Sequence, residues 1–132
     1  MMVSTLVATF SLNVTADKIR SFSIAEGAGA FSVGGRGGKV LFVTNLNDAG
    51  PGSLRAALDA RHPRIVVFRV GGVIESKTDL DIRSPYITVA GQTAPGDGIC
   101  LQNRGLGVTY THDVVIRYLR IRPGKQGTKE FD

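Results

Sequence analysis

Arg120 and Arg122 stand two apart in Leu119-Arg120-Ile121-Arg122, so on an extended chain both guanidinium groups share one face, opposite Leu119 and Ile121. Such a pair either meets solvent or contacts a polyanion, and the alternation alone accommodates both. An arginine stays protonated under nearly all conditions, so neither these two nor Arg117 is read as a general base. His62 precedes Pro63 and His112 precedes Asp113, each without a second His, Cys or paired acid at ligand spacing; turn or surface roles follow. Ser53 lacks the Gly-x-Ser-x-Gly setting of a nucleophile and reads as a helix cap. Cys100, the single cysteine, excludes an intrachain disulfide and a cysteine-based metal site, and between Ile99 and Leu101 it reads as a small packed residue. Asp97, flanked by glycines, reads as a turn former. Two glycine-rich stretches fail as nucleotide sites. After Gly27-Ala28-Gly29 the third glycine of a dinucleotide fingerprint is replaced by Ser32, and around residues 34–39 a phosphate loop would need Gly in place of Val33 and Ser or Thr in place of Val40. Those glycines are read instead as tight turns ahead of a strand over residues 39–44.

The elements that must position these residues are short strands and turns. Ile87-Thr88-Val89-Ala90 enters, and Ile99-Cys100-Leu101 leaves, a turn dense in Gly, Pro and Asp at Pro95-Gly96-Asp97-Gly98. Pro63-Arg64-Ile65-Val66-Val67-Phe68, Pro85-Tyr86-Ile87-Thr88-Val89-Ala90 and His112-Asp113-Val114-Val115-Ile116-Arg117 read as one unit written three times, 22 residues apart from Pro63 to Pro85 and 28 from Pro85 to Asp113. That spacing suits stacked solenoid coils with loop insertions. Residues 52–60 are read as the one helix. Ser53 caps it, Leu54, Ala57 and Leu58 make an apolar face, Arg55 and Asp59 form an i, i+4 pair, and Pro63 stops it. Such a helix, ahead of the coils, would cover the first coil's open edge. Around Tyr118 the parity of apolar positions slips, which predicts a bend or bulge between two strands.

Composition bounds the function classes. The chain is 132 residues long, one domain's worth, with 42% apolar residues, 17 glycines, 5 prolines and few aromatics, a balance that favours turns and strands over a helical bundle. No apolar run reaches the length of a membrane span. Sixteen basic against 11 acidic residues give a net charge of +5, which attracts anions in general. The signs are interspersed and no basic run is interleaved with aromatics, so nucleic acid is not the expected partner. Residues 1–22 are read as a possible signal peptide or unstructured N-terminus: residues 1–16 are mostly apolar and end Val14-Thr15-Ala16, the small-residue spacing of a cleavage site, although no Lys or Arg precedes the apolar run.

Five ordered segments carry a family resemblance: Gly34-Gly35-Arg36-Gly37-Gly38-Lys39-Val40, Val43-Thr44-Asn45-Leu46-Asn47-Asp48, Gly50-Pro51-Gly52-Ser53-Leu54-Arg55-Ala56-Ala57-Leu58, Arg64-Ile65-Val66-Val67-Phe68 and the turn at residues 91–101. Over about residues 25–132 the chain resembles the N-terminal part of the pectate lyase family of polysaccharide lyases, with the β-helix part taken as 23–132. The resemblance implies an all-β, right-handed parallel β-helix, here the N-terminal cap with one short amphipathic helix and the first three to four coils. It further implies a secreted protein acting on polygalacturonate or pectin by calcium-assisted β-elimination, with an arginine removing the proton α to a carboxylate. A cation on that carboxylate would stabilise the developing charge. By this registration the catalytic arginine falls beyond residue 132, so no catalytic residue is assigned and the chain alone is expected to be an inactive fragment. Glu130 and Asp132 fall where the resemblance puts an acidic-x-acidic calcium pair, and two carboxylates two apart on an extended segment reach the same side. Glu130 and Phe131 depart from the usual family pattern there. Arg120 and Arg122 are the candidate contacts to acidic polysaccharide. Two rivals remain open: a non-catalytic β-helix module that binds carbohydrate or spaces domains, and a hydrolase on the same scaffold, for which no paired carboxylates are visible.

Overall fold

The computed structural model describes residues 18–124. Residues 1–17, which hold most of the expected leader, and residues 125–132, which hold Glu130 and Asp132, lie outside the described residues.

Nine short strands follow the apolar runs: β1 (Lys39–Val43), β2 (Arg64–Phe68), β3 (Gly72–Glu75), β4 (Leu80–Ile82), β5 (Ile87–Ala90), β6 (Ile99–Asn103), β7 (Leu106–Val108), β8 (Val114–Arg117) and β9 (Leu119–Pro123). No two of them form an antiparallel hairpin: β1 and β2, the one consecutive pair joined among the described strands, run parallel, and every other pairing skips at least two strands. They stack in parallel as β1-β2-β5-β8, β3-β6-β9 and β4-β7, one strand of each sheet per turn of the chain. The three repeated units fall in register, Val66 opposite Val89 and Val89 opposite Ile116, as their common spacing predicts. The expected parallel β-helix is therefore the fold. It has two complete coils, β2–β4 and β5–β7, with β1 before them and β8–β9 after.

Alternation along each strand sends one set of side chains inward. Val43, Val66, Phe68, Ile74, Leu80, Ile82, Ile87, Val89, Ile99 and Leu101 form a continuous core with Leu54, Ala57 and Leu58 of helix α1 (Leu54–Asp59). Burying a leucine side chain contributes about 2 kcal/mol, and a six-residue helix has no stability of its own, so α1 exists because Leu54 and Leu58 enter this core. Its start is fixed as expected by Ser53, whose Oγ accepts the Ala56 N–H at 3.3 Å. The helix sits against β1 and β4 and covers the first coil's end.

The expected Arg55–Asp59 pair is not what forms. Arg55 turns away from its own helix to Asp48, Nη2 to Oδ1 at 3.1 Å, and its other N–H groups donate to the carbonyls of Asp48, Thr78 and Asp79 at 3.0–3.1 Å. Three carbonyls and a carboxylate on two neighbouring loops satisfy a guanidinium better than one solvated Asp59. Asp48 also accepts the Lys77 N–H at 3.0 Å. That bond, then Arg55, holds its carboxyl below the usual carboxylate range against the cost of burial.

Corners between strands are made by residues with left-handed backbones. Tyr86 (φ 63°) and Asp113 (φ 53°) precede the paired strands β5 and β8 and so stack at one corner. Tyr118 (φ 56°) separates β8 from β9, the bend that the parity slip predicts.

Candidate functional site

Arg120 and Arg122 lie on β9, and both are exposed. The register puts Arg120 beside Cys100 and Val73, and Arg122 beside Gln102 and Glu75, on the face opposite the inward Ile99 and Leu101. Sharing one outward face is what their spacing predicts. Arg120 Nη2 donates to the Asp97 carbonyl at 2.7 Å, which ties the guanidinium to the turn of residues 95–98. That turn is the one built on Pro95, Gly96 and Gly98, and both glycines have positive φ. Arg120 forms part of the wall between two shallow depressions. One is floored by Gly71, Gly72 and Val73; the other runs along Gln92, Tyr118 and Leu119. Among the described residues no carboxylate lies within ion-pair distance of Arg120.

The other sequence candidates fall into structural places. Cys100 is buried at 6% exposure. His112 Nδ1 lies 2.8 Å from Asp113 Oδ2, and Asp113 Oδ1 accepts the Val33 N–H at 3.0 Å and the Ser32 hydroxyl at 3.4 Å. His112, then the Val33 N–H, keep the Asp113 carboxyl below its ordinary range. Serine and histidine meet the same carboxylate rather than each other, so this is no nucleophile–base relay. It is an anchor for residues 18–38, which lie along the outer face of β2, β5 and β8. Gly35 N–H donates to Thr88 Oγ1 at 2.9 Å, and Arg117 stacks on Phe22 at 4.1 Å. The glycines of residues 34–39 serve as backbone here, as their failed phosphate-loop spacing implies: a Cβ at Gly35 would overlap the Arg64 carbonyl.

Calcium needs six to eight oxygens. Among the described residues no group of three His, Cys, Asp or Glu side chains could hold a metal ion, and the two expected ligands, Glu130 and Asp132, lie outside them. The described residues therefore do not fit a calcium site.

Sequence reasoning missed Arg64. It opens β2, faces inward and is fully buried at 0% exposure. Nε donates to the Ala57 carbonyl at 2.9 Å, Nη2 to that of Leu58 at 2.6 Å and Nη1 to that of His62 at 3.2 Å. Burial lowers its pKa from the ordinary value, and the charge of Asp59 opposes that. The only signal was position: a basic residue just past a helix whose last carbonyls need donors. Tyr118 and Gln92 were also missed as liners of the depression beside Arg120, because a bend residue and a turn residue carry no spacing signal.

Stacked parallel strands with a capping helix define a parallel β-helix solenoid. No family model matches the chain. Curated relatives do: the protein named probable pectate lyase C of Aspergillus fumigatus is 50% identical over 126 residues, 96% of this chain and 29% of that protein. Its namesake in Aspergillus terreus is 52% identical over 112 residues, 85% of this chain and 26% of that protein, and the one in Emericella nidulans is 47% identical over 128 residues, 97% and 30%. Over nearly its whole length this chain is similar to one part of these probable pectate lyases. It covers less than a third of the length of these relatives.

Proposed function

We propose that this chain supplies the N-terminal cap and first coils of a polysaccharide lyase that cleaves polygalacturonate-type acidic polysaccharide by β-elimination. The reading rests on one observation, identity of about half over 96% of the chain to relatives named probable pectate lyases. In that reaction the C–H next to the uronate carboxylate loses its proton and the C–O bond to the neighbouring sugar breaks. A double bond is left in the product. Calcium assistance, with Glu130 and Asp132 as ligands, belongs to the same proposal through the resemblance alone. The division into a leader at 1–22 and coils from 23–132, and secretion, are likewise proposed; among the described residues no helix is long and apolar enough to cross a membrane. The acidic substrate matches the chain's net charge of +5.

The test is ultraviolet absorbance of the unsaturated uronide product on polygalacturonate, with calcium and then with a chelator. It is run on this chain and on a version extended along its source DNA. The expected result is a calcium-dependent rise in the extended version only. A flat trace in both sinks the lyase reading, and a rise from the 132-residue chain alone overturns the view that it is inactive by itself.

A second reading, a module that binds acidic polysaccharide without cleaving it, is favoured by the two exposed arginines on one face of β9. Calcium-independent binding of polygalacturonate by an extended version without elimination would select it.

A further inference from the structure

We propose that the turn at residues 95–98, together with Arg120, Tyr118 and Gln92, is a binding site for a uronate unit of an acidic polysaccharide, with Arg120 receiving the carboxylate. The proposal rests on the acidic-polysaccharide reading above for its ligand class and adds where on this chain such a ligand is held.

A guanidinium carries five N–H groups, and Arg120 gives one of them to the Asp97 carbonyl at 2.7 Å. That bond fixes an otherwise flexible side chain against a rigid turn, so little rotamer freedom remains to be lost when a ligand arrives. The remaining donors face solvent, and no carboxylate of the described residues neutralises them. A planar fork of this kind matches a carboxylate in two-point contact.

The surroundings suit a sugar ring rather than a bare anion. Tyr118 is 65% exposed, held outward by its left-handed backbone at the bend between β8 and β9. Tyr118 borders the same depression as Arg120, and its exposed ring offers an apolar platform for sugar C–H groups. Arg117 lies 5.1 Å from that ring and steadies it. Gln92, exposed on the same rim, supplies both a donor and an acceptor for hydroxyls. The floor is largely glycine backbone, so no side chain blocks close approach. Asp97 also borders the depression and its charge disfavours an anion placed beside it; the carboxylate therefore belongs on the Arg120 side. Arg122 stands on the same outward face two residues on, roughly 6.6 Å along the strand. A ligand with repeated carboxylates meets a second cation there, and a single uronate does not.

The experiment titrates the full 132-residue chain, by amide chemical-shift perturbation at fixed low salt, with trigalacturonate, its methyl ester and neutral galactotriose. Shifts are expected at residues 92–98 and 118–122 with trigalacturonate, and binding at least tenfold weaker with the ester and the neutral trimer. Arg120→Ala should weaken trigalacturonate binding at least tenfold, and Arg120→Lys, which keeps the charge but not the fork, by a smaller factor. Arg122→Ala should weaken it severalfold. Arg61→Ala, an equal loss of charge at an exposed position elsewhere, should change it less than twofold. All these positions are at the surface, and unchanged circular dichroism confirms that the variants fold. No binding, binding insensitive to Arg120→Ala, or an equal loss in Arg61→Ala overturns the site. The outcomes stay separable from the lyase test: elimination by the extended protein with Arg120-insensitive binding defeats the site alone, and Arg120-dependent binding without elimination defeats only the lyase reading.

Discussion

At Arg64 a full positive charge is sealed in the core with no carboxylate bonded to it. What holds it is the C-terminal end of α1, whose unpaired carbonyls of Ala57 and Leu58 carry the negative end of the helix dipole. Arg64→Ala is expected to cost about 3 kcal/mol, since it leaves those carbonyls unsatisfied beside a cavity. Arg64→Lys, one ammonium in place of a fork, should cost about 2 kcal/mol. Urea unfolding measures both, and a loss under 1 kcal/mol for the alanine variant would contradict this role. Asp113 gives a pH prediction at the same scale. Its carboxyl titrates below the ordinary range, so its contribution is present above the unfolded value near 4 and is lost as pH falls through the lower folded value. Protection of the Val33 amide, corrected for intrinsic exchange, should drop in that acid window. Asp113→Asn, which tolerates the positive φ and still accepts that N–H, should flatten the drop. Neither residue's role could be read from the sequence. Arg64 looks like a strand-edge cation until the helix end lies beside it, and Asp113 meets Ser32 and Val33 across some 80 positions of chain.

Between elements, close approach matters more than propensity. Residues 34–38 run along the outer side of β2 and β5 so tightly that Gly35 has no room for a methyl group against the Arg64 backbone. Backbone cannot yield as a flexible side chain does. Gly35→Ala should therefore destabilise by about 3 kcal/mol or more, while Gly29→Ala, with open space around it, should stay within about 0.5 kcal/mol. Equal unfolding midpoints for the two would contradict the packing described. The three repeated units, the Ser53 cap and the Tyr118 bend were legible, because spacing, capping and parity are local rules, whereas β7 (Leu106–Val108) was not, since Leu106-Gly107-Val108 is too short and glycine-interrupted to stand out. The partner of Arg55 was not. An i, i+4 acid is visible in sequence, whereas the loops bearing Asp48, Thr78 and Asp79 converge on it only after the coil has closed.

For the molecule as a whole, each inward ladder runs from full burial to exposure at its last rung. Val89 is 0% exposed and its neighbour Ile116 is 36%; Leu101 is 0% and Ile121 is 41%; Ile82 is 0% and Val108 is 51%. The side chains point the same way, so the difference is the absence of a further rung among the described residues. The outer edges of β7, β8 and β9 also present backbone groups that no described strand takes up. An apolar end with open strand edges is a surface that pairs with whatever strand it meets. The 132-residue chain is thus expected to associate with rising concentration in sedimentation velocity, more strongly at high salt, where its net charge of +5 is screened. Ile116→Lys combined with Ile121→Lys should shift that association to at least tenfold higher concentration by placing charges on the bare end. Ile24→Lys, at an equally apolar but isolated exposed site, should not. A chain that stays monomeric at high salt, or one in which Ile24→Lys acts as strongly as the double variant, would show that the end is not the adhesive surface.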